Sequence, residues 1–396
     1  MRAIAEVREA LHNLYPEMIG WRRYLHQHPE LSYGEKETAR YIAAELREMG
    51  CEVTTDVGGH GVVAVLRGAA PGRTVALRAD IDALAIQDEK TVDYASKVPG
   101  VMHACGHDAH TATLLSIAKF YSSRSNWSGE RRLLFQPAEE ISPGGAQAMI
   151  GAGVLEGVDA IYGVHLWTPL QYGLVASRAG ALMAAADEFS IEVSGNGGHG
   201  GLPHQSVDAI VVGSSLVQAL QTIVSRNVNP LEPAVLSIGS FQAGQTANVI
   251  AGKAVMKGTV RAFNSETREL VRNRLGDMVK QTCELYGARG ELDYREGYPP
   301  VVNDAREAER FFRVAADRFT AEAVRQSELI MAAEDFAYYL GHKPGCFMFV
   351  GAGHGQGTDT GYPHHHAKFD LDERAMLMSA ELMIAMAENY ALESAG

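Results

Sequence analysis

The sequence predicts an α/β fold: a mixed, mainly parallel sheet with flanking helices, interrupted by an inserted α+β segment. Three observations carry this. Short apolar runs alternate with helical stretches in the first part of the chain, as buried parallel strands and crossover helices do. Near Ala181 the texture changes to period-two strands, the mark of a sheet with one wet face. From about Tyr298 the first texture resumes. The expected domains are 1–181 with 297–396, and 182–296 inserted between them.

The N-terminal stretch "MRAIAEVREALHNLY" mixes charged and apolar residues at helical spacing and lacks the apolar core of a signal peptide. "GEKETARYIAAELREMG" is a second helix, with Ile42, Leu46 and Met49 on one face and Gly50 at the C-cap position. The strands "GVVAVLRG", "TVALRADID", "RRLLFQPAEE" and "DAIYGVHLW" follow. Between the second and third lies a helix, "HTATLLSIAKFYSS", striped by Leu114, Ala118 and Tyr121. In the insertion, "DEFSIEVSG", "AVLSIGSFQAG", "AVMKGTVRAF" and "RGELDYREG" read as strands set against two helices. The first of these helices, "SVDAIVVGSSLVQALQTIV", has its expected cap at Ser206. The chain closes on the capped helix "DERAMLMSAELMIAMAENYAL".

With 396 residues, 46% hydrophobic and 21% charged, the chain suits two globular domains. A net charge of −13 opposes a nucleic-acid or anionic-membrane surface, which needs clustered Lys and Arg. No run approaches the ~18 apolar residues of a spanning helix. Cys51, Cys105, Cys283 and Cys346 are too scattered for a disulfide scaffold, which points to a reducing cytoplasm.

Ligands of open α/β sheets gather at the carboxyl ends of the strands. Three strands here end in metal-binding chemistry: Asp80 and Asp82, then Glu139 and Glu140, then His165. Cys105 and His107 sit just before a helix, and "YPHHHAKFD" adds His364, His365 and His366. Cys, several His and Glu exceed the needs of one tetrahedral ion and leave room for two. Of adjacent glutamates, one can ligate while its neighbour takes a proton. No CxxC or resolving cysteine lies near Cys105, which counts against a redox thiol. "GNGGHG" from Gly195 matches a dinucleotide fingerprint, but Leu202-Pro203-His204 intervene before the helix and no acid lies between Val211 and Leu231.

Ten segments, among them "ALRADIDAL", "MHACGHDAH", "FQPAEE", "GVHLW", "GNGGHGGLPH", "TANVI", "GTVRAF" and "AEDFAYY", occur in the order of one known family. The chain resembles the bacterial and plant amidohydrolase branch of the aminoacylase/carboxypeptidase metallopeptidases. The resemblance implies a dinuclear-metal exopeptidase-like catalytic domain with an inserted dimerisation domain. It implies hydrolysis of N-acyl-L-amino acids by a homodimer, or a tetramer, with dipeptidase or carboxypeptidase action as the alternative. Two divalent ions per subunit are implied, zinc or manganese first, nickel or cobalt also compatible. Their ligands would be Cys105, His107, Glu140, His165 and a C-terminal histidine, which the family spacing back from Phe369 makes His365 rather than His366. Glu139 would be the base, with Asp82 supporting the site. His199 would stabilise the oxyanion from the partner subunit, and Asn248 and Arg261 would hold the substrate carboxylate. Where the family usually has LHxP this chain has "HHHA", Ala85 replaces a usual proline, and "HGGLPH" replaces a commoner HAAxPH.

Overall fold

The computed structural model describes residues 2–353 and 361–393. They divide into two compact units: Met1–Gly180 with Val302–Glu328 and Asp335–Gly396, and Ala181–Val301 with Leu329–Glu334. The chain opens with α1 (Arg2–Gln27), α2 (Lys36–Glu48), β1 (Glu52–Val57), β2 (Gly61–Arg67) and β3 (Ala70–Asp80). It continues through α3 (His107–Ser122), β4 (Ser128–Gln136), α4 (Gly145–Gly151), β5 (Ala160–Gln171) and β6 (Val175–Ser177). After β7 (Gly180–Met183) come β8 (Ala185–Ser194), β9 (Gly198–His199), α5 (Ala209–Thr222) and β10 (Ala234–Ala243). Then follow β11 (Val249–Ile250), β12 (Lys253–Ala262), α6 (Ser265–Leu285) and β13 (Arg289–Arg295). The return runs through β14 (Val301–Asn303), α7 (Ala305–Arg318), β15 (Val324–Gln326), α8 (Ala337–Leu340), β16 (Gly345–Gly353) and α9 (Ala375–Leu392).

The sheet of the first unit has the order β1-β2-β4-β3-β5-β16-β6-β15. Its centre, β4-β3-β5-β16, is parallel, and β1 and β2 add an antiparallel margin. The central strands are apolar on both faces, and all nine residues of β16 are buried. Register fixes the site edge. Asp80 lies opposite Gln136 and Arg78 opposite Gly163, so the ends of β3 and β4 come level with His165 in β5.

Helix α3 departs from the striped amphipathic reading. Every residue is buried except Lys119 and Ser122, because α1, α9 and β3 all pack on it. Gly106 precedes it at φ 94°, a left-handed turn between Cys105 and His107.

In the second unit, β10-β12-β8-β13 form an antiparallel sheet. Phe189, Ile191 and Val193 of β8 share a core with Val212, Leu216 and Leu220 of α5 and Val271, Leu275 and Val279 of α6. The cap of α5 is Asp208, not Ser206: its carboxylate accepts from the Ile210 and Val211 N–H groups. Pro203–Gln205 form a separate 3₁₀ turn, which delays the helix to Ala209. Ala209–Asn227 is long and apolar enough by composition to cross a membrane, at 19 residues and mean hydropathy 1.2. The sequence reading looked for an unbroken apolar run, which glycine, serine, glutamine and threonine interrupt here. Its buried face packs on the sheet of its own unit.

Candidate metal centre

The strand ends, the start of α3 and the segment before α9 bring one set of donors together in the first unit. Cys105 Sγ lies 3.4 Å from His165 Nε2. His107 Nε2 lies 3.7 Å from Asp80 Oδ2 and 3.8 Å from Glu140 Oε1. His365 Nε2 lies 3.3 Å from the same Glu140 oxygen. Glu139 groups with His107 and Glu140. Tetrahedral ligands bonded at about 2.0–2.3 Å stand about 3.3–3.8 Å apart, a range into which these spacings fall. His107 Nε2 and Glu140 Oε1 are buried without a hydrogen bond, which a coordinated cation would satisfy.

The backbone orients the histidines. His165 Nδ1 meets the Leu166 carbonyl at 3.0 Å. His107 Nδ1 meets the Asp82 carbonyl at 3.0 Å and Asp82 Oδ1 at 3.2 Å. Each Nδ1–H therefore donates away from the cluster and leaves Nε2 as a lone-pair donor facing it. Asp82 also accepts from Ser32 Oγ at 2.6 Å and from the Glu140 N–H at 3.0 Å. It is a positioning group for both neighbours. His110 is fully used: Nδ1 donates to Asp80 at 2.6 Å, and Nε2 accepts the Leu166 N–H at 2.9 Å. His366 turns away, accepting from the Lys368 N–H at 3.0 Å and stacking on Tyr362.

Negative charge crowds this cluster. Burial, then Glu140, Glu139 and Asp80, pushes the Cys105 thiol well above its usual range. Burial works to lower the His107 pKa, but Asp80 and Asp82 outweigh it and raise it to about 10. Without ions these two donors hold protons that a divalent cation would displace.

Among the described residues, four other than glycine have positive φ, and three of them belong to this region: Tyr33, Ala138 and His365. Such strain persists only where surroundings enforce it. Ala138, just before Glu139, is held by buried Glu35, whose Oε1 accepts the Ala138 N–H at 2.7 Å. Burial pushes Glu35 up to about 7, and its Oε2 makes no hydrogen bond.

The remaining candidates lie in the second unit. His199 pairs with Val249 across the β9–β11 ribbon, and the Gly200 N–H donates to the Asn248 carbonyl at 2.8 Å. The glycine stretch thus forms a ribbon instead of a phosphate loop. His199 Nδ1 accepts from the Gly201 N–H at 3.0 Å, so the ring proton sits on exposed Nε2. Arg261 donates to Thr259 and to the Val260 carbonyl and makes no ion pair among the described residues.

A profile of peptidase family M20/M25/M40 matches residues 76–389. The chain belongs to that family. It is 48% identical over 299 residues to an N-acyl-L-amino acid amidohydrolase of Geobacillus stearothermophilus, covering 75% of this chain and 81% of that one. It is 41% identical to the N-acetyl-L-cysteine deacetylase of Bacillus subtilis, covering 96% and 89%. The Bacillus subtilis YxeP protein, a dinuclear metal binding peptidase from the M20 family, superposes with TM-score 0.83 at 35% identity, covering 96% and 99%. The donor set of this M20 chain suits two divalent ions.

Sequence reasoning passed over Glu35, His110 and Asp335 of this M20 centre, and named His364 only as one of three histidines without a role. His110 stood three residues beyond His107 in a quoted motif, and Asp335 stood in "AEDFAYY". Asp335 accepts from buried Arg78 at 2.8 Å and from Gln136 Nε2 at 2.7 Å, tying the ends of β3 and β4 together.

Proposed function

We propose that the protein is a homodimeric two-metal amidohydrolase that cleaves N-acyl-L-amino acids to a carboxylate and a free amino acid. The observation that carries this reading is Glu139 beside Glu140 in a buried cluster with two orphaned donor atoms. Cys105, His107, Glu140, His165 and His365 would hold the ions, zinc or manganese by preference because thiolate and imidazole meet carboxylate there. When bound, the ions supply Lewis acidity, polarising the amide carbonyl and acidifying water.

Glu139 takes a proton from the attacking water and returns one to the leaving nitrogen. The water oxygen first adds to the amide carbon, and the tetrahedral adduct then collapses with breaking of the C–N bond and release of the protonated amine, with no redox change. His199, from the partner subunit, donates its Nε2–H to the tetrahedral oxyanion. Arg261 is half-buried and makes no ion pair among the described residues, so a substrate carboxylate would complete its hydrogen bonding, and Asn248 is the second group proposed to hold that carboxylate.

The second unit supports the dimer. On the edge strand β13, Arg289 pairs with Glu291 and Arg295 with Asp293, a charged margin that deters pairing. The opposite edge, β10, carries no charged residue and leaves Phe241 exposed, while Ile210 and Val211 are exposed on α5. A second copy pairing there would close that edge. The four cysteines form no disulfide, which suits the cytoplasm.

The test is hydrolysis of N-acetyl, N-benzoyl and indole-acetyl amino acids and of dipeptides, after chelation and after return of zinc, manganese, nickel or cobalt. Chelation should abolish turnover and one ion restore it on acyl amino acids. Full turnover by exhaustively demetallated protein refutes the reading, and a preference for dipeptides replaces it with a peptidase.

A further inference from the structure

The three consecutive histidines do three different things. His365 joins the donor cluster and His366 turns to Tyr362. His364 has no place in the proposed ligand set, yet its ring is held on every side. It stacks on Trp167 at 4.6 Å between centroids and 20° between planes, and lies 4.8 Å from Phe369. It meets the His165 ring edge-on at 5.1 Å.

Its two nitrogens face different partners. Nε2 accepts the Thr168 N–H at 3.3 Å. A nitrogen that accepts carries a lone pair, so the ring proton must sit on Nδ1. That Nδ1 lies 3.7 Å from Cys105 Sγ, within reach of an N–H···S hydrogen bond.

We infer that His364 is a positioning residue that donates its Nδ1–H to the Cys105 sulfur and tunes it as a thiolate ligand. The inference rests on the proposed role of Cys105 as a ligand. The sulfur sits among the other proposed donors, 3.4 Å from His165 Nε2 and grouped with Glu140 and His365. A hydrogen bond draws electron density from the sulfur and lowers its donor strength, the tuning that outer partners of metal ligands exert. Thr168 follows Trp167 at the end of the His165 strand, so one stretch of β5 supplies a proposed ligand, the stacking surface and the N–H that sets the tautomer. The competing acceptor for Nδ1–H is the Cys105 carbonyl.

The test uses cobalt(II)-loaded protein and its near-ultraviolet sulfur-to-cobalt charge-transfer band, with metal content measured in parallel. Cys105→Ser should abolish the band, which assigns it. His364→Phe keeps a ring to stack on Trp167 but has no N–H. It should retain every bound ion and shift the band to longer wavelength, because the unbonded sulfur lone pair is easier to ionise. His364→Asn, whose amide can place an N–H near the position of Nδ1, should move the band back. Far-ultraviolet circular dichroism checks that each variant folds, and His364→Leu serves if the phenylalanine does not.

Loss of an ion in the folded variant would make His364 a ligand and overturn the inference. An unshifted band would place the N–H on the carbonyl and overturn it equally. A wild-type band that survives in Cys105→Ser, or no band at all, would instead remove Cys105 from the ligands and take the inference with it.

Discussion

Glu35 allows a prediction that needs no metal and no substrate. Its carboxyl is buried, holds the Ala138 N–H and rises from the usual 4.5 to about 7, mainly through desolvation. At about 1.36 kcal/mol per pH unit this comes to about 3 kcal/mol. The folded protein binds this proton more tightly than the unfolded chain, so the contribution is full below pH 4.5 and is lost as pH rises through 7. Glu35→Gln keeps an oxygen for Ala138 and cannot ionise. Relative to wild type it should gain about 2.5 kcal/mol between pH 5 and pH 8, over any constant cost of burying the amide. Trp21, Trp127 and Trp167 are the three tryptophans and all belong to the first unit. Urea unfolding of metal-free protein, followed by tryptophan fluorescence, therefore reads the unit that holds Glu35. A wild-type-to-variant difference that stays flat from pH 5 to pH 8 would show that Glu35 ionises freely and that its burial carries no such cost.

Glu139→Gln should lower turnover by about 10²–10⁴ with metal content unchanged, whereas Glu140→Gln should lose metal; the reverse pattern would exchange their roles. His365→Ala should lose an ion and His366→Ala should not, measured by metal analysis after dialysis; full occupancy in both would take His365 and His366 out of the ligand set. Mixing inactive Glu139→Gln and His199→Ala chains should restore roughly a quarter of wild-type activity, since half the random dimers are mixed and each has one intact shared site. No recovery despite demonstrated subunit exchange would place His199 in its own subunit's site or outside catalysis.

The sequence showed the donors because they sit at strand ends, where polar residues interrupt apolar runs: Asp80 after "TVALRA", His165 inside "IYGVHL". What stayed hidden was how they are held. Glu35 meets Ala138 across 103 residues, and His364 meets Cys105 across 259, so no local pattern records either contact. The stripe read for α3 was too narrow because its alanines, its threonines and Ser116 look neutral in a periodicity count, yet they are buried all round. Ser206 and Asp208 are both good caps, and the 3₁₀ turn before them, which ends on Ser206, leaves the cap to Asp208.

The order in which the chain emerges during synthesis bears on the centre as well. Cys105, His107, Glu140 and His165 precede the second unit, and His365 follows it, some 200 residues after His165. At about 5–20 residues per second, a ribosome needs roughly 10–40 s to cover that interval. For that time the nascent polypeptide presents four of the proposed donors without the fifth. Any ion captured early sits in an incomplete shell and exchanges readily. With His365 as the proposed fifth ligand, secure metallation would wait for the last tenth of the chain to be translated, and fragments truncated before His365 should hold metal more weakly than the finished enzyme.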